Sequence, residues 1–150
     1  MIQLKSMYCK QKEKNVSIAL TKQSLDLGIV TKNGTAMLVF YRDLLGLKYH
    51  AEIAFPADVV MHQLLCGESV IKLVVLPEAM AALPAAPGGI QGAVGYRYWT
   101  MSVSNLSEMV QTCSNAGVPL VVPETEIRPG VRIAIVTDPD GNWVEFLTKS

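Results

Sequence analysis

The sequence lacks the features that define several common protein classes. Its three cysteines, Cys9, Cys66 and Cys113, are far apart and form no CxxC pair, so a disulfide framework or zinc ribbon is not expected and a reducing compartment is the default. The 13 basic and 13 acidic residues cancel and form no basic block, which argues against a nucleic-acid partner. No apolar run approaches a membrane span, and the polar start has no apolar signal-peptide core. We predict a cytoplasmic protein with neither nucleic acid nor membrane as a partner.

What the sequence does have is the composition of one well-cored domain. Half of the 150 residues are hydrophobic and 17% are charged, enough for a chain of this length to bury most of its apolar surface. A strand-like run at 25–31 is followed by Asn33 as a candidate helix N-cap, a helical pattern to Leu45, and Gly46 as a stop signal. The cysteines are expected to serve as small buried apolar residues.

The same plan occurs a second time. A strand-like run at 98–103 precedes Asn105 as N-cap, a helical run and Gly117 as the stop. After each stop glycine come three further strand candidates, separated by turn sequences such as CGES, RPG and DPDG; these strands are at 48–54, 59–66 and 70–76, and at 120–126, 131–137 and 143–147. The chain therefore divides into an N-terminal extension (1–24), a first β-α-β-β-β module (25–76), a connector or lid (77–96) and a second module (97–150). This predicts an α+β fold built from a duplicated unit.

The closing motif DPDGNWVEF combines a tight turn with a strand. Pro fixes the φ angle that the turn requires, Asp and Asn supply side-chain caps, and Gly and Asn tolerate positive φ. In the strand that follows, Glu145 points to the face opposite Val144 and Phe146. A carboxylate placed this way is either a solvent-facing spacer or a ligand-contacting group in a cavity.

The LDLGIV strand, the FYRDLLGLK helix end and DPDGNWVEF together resemble the vicinal oxygen chelate superfamily. This is the group of glyoxalases, bleomycin-resistance proteins and extradiol dioxygenases, and the likeness covers residues 25–148. The resemblance implies two βαβββ modules that form an open, barrel-like mixed sheet around a central cavity. Proteins of this resemblance are commonly dimers, so a homodimer is expected.

The resemblance also implies where metal-using members place their ligands. The corresponding positions here are Asp26, Lys72, Tyr98 and Glu145, of which only Glu145 matches a usual ligand type. A protonated Lys72 has no lone pair and would repel a divalent metal. We therefore assign no cofactor and disfavour a metal ion. If a metal does bind, Glu145 and His62 are its best candidate ligands.

These positions supply the candidate catalytic residues: Asp26, His62, Lys72, Tyr98 and Glu145. An ammonium at Lys72 would occupy the electrostatic role of the metal, Tyr98 would donate to a substrate oxygen, and the others would transfer protons. Whether His62 or Gln63 shares a face with Lys72 depends on whether the CGES loop is odd or even.

Gln63, Trp99 and Arg132 are the candidate substrate-binding residues. Each candidate also has a structural interpretation. Asp26 would be a polar residue at a strand entry, Lys72 would extend to solvent, and the aromatic residues would form a core or pocket wall. Arg132 would be a solvated charge near a turn.

Three functions fit this pattern. The first is an isomerase, epimerase or lyase that acts on a small oxygenated metabolite with acid–base groups. The second is a non-catalytic protein of the bleomycin-resistance type that sequesters a drug or metabolite. The third is a metal-dependent, glyoxalase-like lyase with non-standard ligands. An oxygen-activating dioxygenase is disfavoured because it needs an open redox-metal site.

Overall fold

The computed structural model describes residues 17–150. Cys9 and most of the predicted N-terminal extension lie outside the described residues. The first module has five elements and the second has the same five, in the same order. In the first these are β1 (Leu27–Thr31), α1 (Gly34–Leu38, continued by a π-helix, Val39–Leu44), β2 (Lys48–Phe55), β3 (Val59–Cys66) and β4 (Ser69–Val75). A short helix α2 (Gly89–Gly92) interrupts the connector, and the second module comprises β5 (Tyr98–Ser102), α3 (Leu106–Asn115), β6 (Leu120–Arg128), β7 (Val131–Thr137) and β8 (Trp143–Lys149).

The two modules form two four-stranded mixed sheets with identical topology. The strand orders are β1-β4-β3-β2 and β5-β8-β7-β6, and in each sheet the first pair is parallel while the last strands are antiparallel. Gly28 pairs with Lys72 in the first sheet, and Thr100 pairs with Glu145 in the second. The α+β fold with two βαβββ modules is thus confirmed.

The helix boundaries and the N-cap positions agree with the sequence pattern, but the two N-cap side chains do not make the capping bonds that the pattern suggests. Asn33 and Asn105 directly precede α1 and α3, yet neither side chain bonds a free helix N–H. The Asn33 side-chain amide instead donates to Asp140 Oδ1 at 2.6 Å. The side chain that the local pattern predicts as a helix cap is therefore used in a tertiary contact with the second module. The stop glycines Gly46 and Gly117 adopt the left-handed conformation, with φ of 75° and 74°.

One hydrophobic core joins both modules. Alternate residues of each sheet point to the face on which the helices pack, which we call the helix-covered face. The π-helical turn places both Phe40 and Tyr41 in this core, at 3% and 0% exposure. The core contains residues from α1, β3, β4, β5, α3, β7 and β8: Met37, Phe40, Tyr41, Leu64, Ile71, Leu73, Met101, Leu106, Cys113, Ala134, Val136, Val144 and Phe146. Each sheet therefore keeps a second, helix-free face that points away from the shared core.

A buried polar contact also crosses between the modules. Tyr41 Oη donates to Asp138 Oδ2 at 2.8 Å, and both side chains are buried. Asp138 Oδ1 accepts from the backbone N–H groups of Asp140 and Asn142, which closes the turn before β8. The first helix is thereby bonded to the motif that positions the last strand.

Two smaller features complete the fold. Cys113 is buried as expected, whereas Cys66 is half-buried, and burial raises the pKa of both thiols. Within residues 17–150, none of the helices is long and apolar enough to cross a membrane.

Candidate functional site

The helix-free face of the first sheet carries three predicted site residues together. Cys66 pairs with Ser69, so the CGES loop is even and Gln63 lies directly opposite Lys72. Lys72 Nζ is 3.4 Å from Asp26 Oδ2, the carboxylate that precedes β1. Asp26, Gln63 and Lys72 therefore form one polar cluster in the first module.

A second lysine makes the cluster cationic. Lys22 Nζ donates to Asp26 Oδ1 at 2.5 Å, and the Val70 N–H donates to the same oxygen at 3.1 Å. The bond from Lys22 is the main reason that the pKa of Asp26 lies below its ordinary value. With one carboxylate between two ammonium groups, the cluster has a net charge of +1, which favours an anionic or oxygen-rich ligand.

The helix-free face of the second sheet carries the other two corresponding positions. Glu145 Oε1 accepts from Thr100 Oγ1 at 2.7 Å, and Tyr98 lies opposite Trp143 two residue pairs away on the same strands and the same face. Tyr98 is 49% exposed. On the other side of Glu145, its pairing partner on β7 is Ile135, which is 3% exposed. Glu145 thus sits between a buried apolar side and an exposed aromatic side.

The polar clusters of the two modules remain separate. Among residues 17–150, no hydrogen bond or ion pair joins Asp26 or Lys72 to Tyr98 or Glu145. The predicted single constellation of four groups is therefore divided between two sheets in one chain.

His62 lies on the other side of its sheet, contrary to a shared site with Lys72. It pairs with Leu73, which is fully buried in the core, so it occupies the helix-covered face. Its Nδ1 is 2.9 Å from Tyr49 Oη and 3.7 Å from Glu52 Oε2. The even loop that brings Gln63 next to Lys72 necessarily turns His62 away, because neighbouring strand residues point to opposite faces.

Two of the predicted substrate-binding residues also occupy helix-covered faces. Trp99 alternates with Tyr98, and its ring lies 6.1 Å from that of Tyr41 at the core. Arg132 pairs with Glu124, whose Oε1 accepts from Ser107 of α3 at 2.9 Å. These side chains consolidate the packing of each sheet on its helix and do not contact the helix-free faces.

The donor set does not fit a divalent metal. Of the four positions that the family resemblance assigns to metal ligands, one is the cation Lys72, which is already ion-paired with Asp26. Among residues 17–150, no three His, Cys, Asp or Glu side chains lie close enough together to hold a metal. A catalytic metal needs about three such donors and an open position, so we derive no chemistry through one.

A cavity of the described chain lies elsewhere, between the modules. It measures about 540 Å³ and opens between the end of β1, the connector and the DPDGN turn. Val30, Lys32 and Leu76 line one side, Leu83 the connector side, and Asp140 the turn. None of the predicted site residues contacts this cavity.

Several neighbours of the site were absent from the sequence prediction. Thr100 binds Glu145, and Trp143 shares its face. Thr100 was detectable in principle, since it lies two residues after Tyr98 on the same strand face. Lys22 gave no such signal, because it belongs to a segment without periodicity.

Comparison with known proteins places the chain in one family. The family model described as Glyoxalase/Bleomycin resistance protein/Dioxygenase superfamily matches residues 24–146. The chain belongs to this superfamily. No curated protein sequence matches it significantly.

Solved structures show the same fold at low sequence identity. A glyoxalase family protein from Bacillus cereus aligns with a TM-score of 0.73 at 17% identity, over 87% of this chain and 99% of the other. The trypanothione-dependent glyoxalase I of Leishmania major aligns at 0.65 and 21%, over 85% and 87%. An antibiotic binding protein from Streptomyces sp. CB03234 aligns at 0.64 and 17%, over 89% and 100%. These structural similarities establish the fold of the chain. Its function has to be inferred from its own side chains.

Proposed function

We propose that this protein binds and sequesters a small oxygen-bearing molecule without a metal ion. The observation that carries the proposal is the Asp26–Lys72 ion pair, at two positions that the family resemblance assigns to metal ligands. An ammonium there can hold a ligand oxygen but cannot act as a Lewis acid. One structural neighbour is an antibiotic binding protein, so binding of a small molecule has a precedent on this fold.

The chemistry of the two helix-free faces suggests the kind of ligand. The first face combines the cationic cluster of Lys22 and Lys72 with exposed apolar side chains, of which Val30 is 61% and Phe55 is 42% exposed. The second face offers the aromatic rings of Tyr98 and Trp143. Apolar walls with a few polar groups are the usual design of a small-molecule site. We infer an aromatic ligand with phenol, carbonyl or carboxylate oxygens.

The test is a binding screen by thermal shift, followed by calorimetry. Bleomycin and a panel of aromatic antibiotics bearing phenol or carboxylate groups serve as probes. We expect at least one probe to bind the wild type, Lys72→Met to weaken that binding at least tenfold, and Lys48→Met, a change at another exposed lysine of the same module, to leave it unchanged. If no probe binds, or if Lys72→Met binds as well as the wild type, the proposal is wrong.

A second candidate is an acid–base enzyme, and the surroundings of Glu145 favour it. The carboxylate has a hydroxyl partner in Thr100 and a phenol on the same face in Tyr98, which is a sufficient set for proton transfer next to a ligand oxygen. In such an enzyme His62 would not transfer protons to the ligand, because it lies on the helix-covered face and Glu145 on a helix-free face. Conversion of any bound probe by the wild type but not by Glu145→Gln, with binding retained, would select this function over sequestration.

We also propose that two copies of the chain complete the site. The helix-free face of the first sheet leaves Val30, Ile53 and Phe55 39% to 61% exposed, and it is cationic where the second face carries Glu145. Apposing the first face of one copy to the second face of another would cover this surface and bring opposite charges together. Sedimentation velocity tests this: a dimer that Phe55→Lys dissociates is expected, and a wild type that stays monomeric at every concentration would contradict it.

A further inference from the structure

Part of the connector is fastened to the second module by a single side chain. Arg97, just before β5, donates from Nε to the Gly89 carbonyl at 2.6 Å. Its Nη2 donates to the Ala86 carbonyl at 2.6 Å and reaches the Pro87 carbonyl at 3.4 Å. Guanidinium presents several N–H donors in a rigid fork, so one arginine gathers carbonyls that are three residues apart. We call residues 86–92 the strap.

The strap lies directly on the indole of Trp143. A β-carbon added to Gly89 would be 2.0 Å from Trp143 Cε2, so the glycine backbone is in van der Waals contact with the ring. Gly89 also has φ of 53°, a conformation that side chains other than that of glycine rarely adopt. Both the close approach and the backbone angle require glycine at this position.

Little else holds the strap in place. Ile90, its largest apolar side chain, is 57% exposed, and Val94 and Tyr96 in the segment that follows are fully exposed. The strap therefore buries little apolar surface of its own beyond the contact at Gly89. Elements with few buried apolar contacts open at low free-energy cost.

The strap lies at one end of the helix-free face of the second sheet, close to Glu145. Trp143 lies two residues before Glu145 on β8, so both side chains point to the helix-free face about 7 Å apart along the strand. Tyr98 is the direct neighbour of Trp143 on β5. A molecule that approaches Glu145 from this end must pass the strap.

We propose that Arg97 is a positioning residue that latches the strap over Trp143, and that the latched strap controls access to the helix-free face of the second sheet. The importance of that access rests on the proposed function, but the latch itself requires no ligand. When the Arg97 bonds are removed, the strap leaves the indole and small molecules reach the ring.

Acrylamide, a small neutral molecule that quenches exposed indoles, is the probe. Since the chain has two tryptophans, Trp99→Phe makes Trp143 the sole emitter. In this background we expect Arg97→Ala to raise the quenching constant at least about twofold, because the indole loses its cover. Arg128→Ala, at an exposed arginine that ends β6, is the matched control and is expected to have no effect. Arg97→Lys should give an intermediate value, since an ammonium lacks the fork that bridges separate carbonyls.

A second variant approaches the latch from the other side. Gly89→Ala leaves Arg97 intact but places a methyl group where the indole lies, so it should raise the quenching constant in the same way. It shows the quenching expected when the strap is displaced, and Arg97→Lys decides the question if circular dichroism shows that Arg97→Ala does not fold. Quenching equal to the background in the folded variants would overturn the proposal. Failure of the antibiotic screen would not affect it, because acrylamide reports on the strap alone.

Discussion

The buried bond between Tyr41 and Asp138 gives the sharpest prediction for stability. Tyr41→Phe removes one hydroxyl and keeps the ring, which packs edge-to-face on Phe40 with centroids 4.8 Å apart. The hydroxyl is the group from the first module that donates to the Asp138 carboxylate, at 2.8 Å. The substitution thus tests one inter-module hydrogen bond with little change in packing.

The expected magnitude follows from burial and from what Asp138 retains. Tyr41 is 0% and Asp138 3% exposed, so water does not readily replace the lost donor. The carboxylate keeps bonds from the Asn142 side chain and from two backbone N–H groups, which prevents complete loss of its partners. A hydrogen bond to a charged group contributes about 1.5–3 kcal/mol, and we expect a loss near 2 kcal/mol, because the remaining bonds are intact.

Urea unfolding followed by circular dichroism measures this loss. The slope of free energy against urea should be unchanged, because the surface exposed on unfolding is the same. Tyr96→Phe is the control: Tyr96 is fully exposed, and its change should stay within about 0.5 kcal/mol. A loss for Tyr41→Phe as small as that of the control would show that the inter-module bond does not stabilise the fold.

Three further predictions concern titration, packing and surface charge. Burial raises the pKa of Asp138 in the folded protein above the ordinary value of 3.8. The stability that Asp138 contributes is therefore fully present below pH 3.8 and is lost as the pH rises through the folded pKa. A carbon NMR titration of the folded protein that gives Asp138 a pKa at or below 3.8 would contradict this prediction. Gly34→Ala should cost about 1–3 kcal/mol by overpacking, because the new Cβ would lie 2.8 Å from Val75 Cγ2. The control Gly28→Ala has nothing within 4 Å of its Cβ and should leave the urea midpoint nearly unchanged; equal losses would refute the clash. Lys72→Met should also leave that midpoint nearly unchanged, because both side chains of its ion pair are about one-third exposed and water weakens their attraction; a large drop would assign Lys72 a structural role.

The duplicated fold could be read from local pattern because each signal acts over a few residues. Gly46 and Gly117 mark helix ends through their backbone freedom, and the strands β3 and β7 have the bounds that alternation and turn residues predict. Asn33 occupies the predicted N-cap position, but its side chain does not cap the helix, and the reason lies outside the local sequence. Its amide bonds Asp140, which is 107 residues away, and a side chain that is used in a tertiary contact is not available for its own helix.

The face on which each candidate residue lies could be predicted in part from the sequence, but the arrangement of these residues could not. The alternation in the last strand predicted that Glu145 lies on the face opposite two core residues, Val144 and Phe146, and the structure has this arrangement. Only the tertiary structure determined that an even loop brings Gln63 to Lys72 and turns His62 into the core side, and that two sheets share one core with their polar clusters on separate faces. Face selection follows from local periodicity, whereas pairing register and module packing depend on contacts between distant segments. The strap over Trp143 belongs to this second category, because nothing local to Arg97 indicates the carbonyls that it binds.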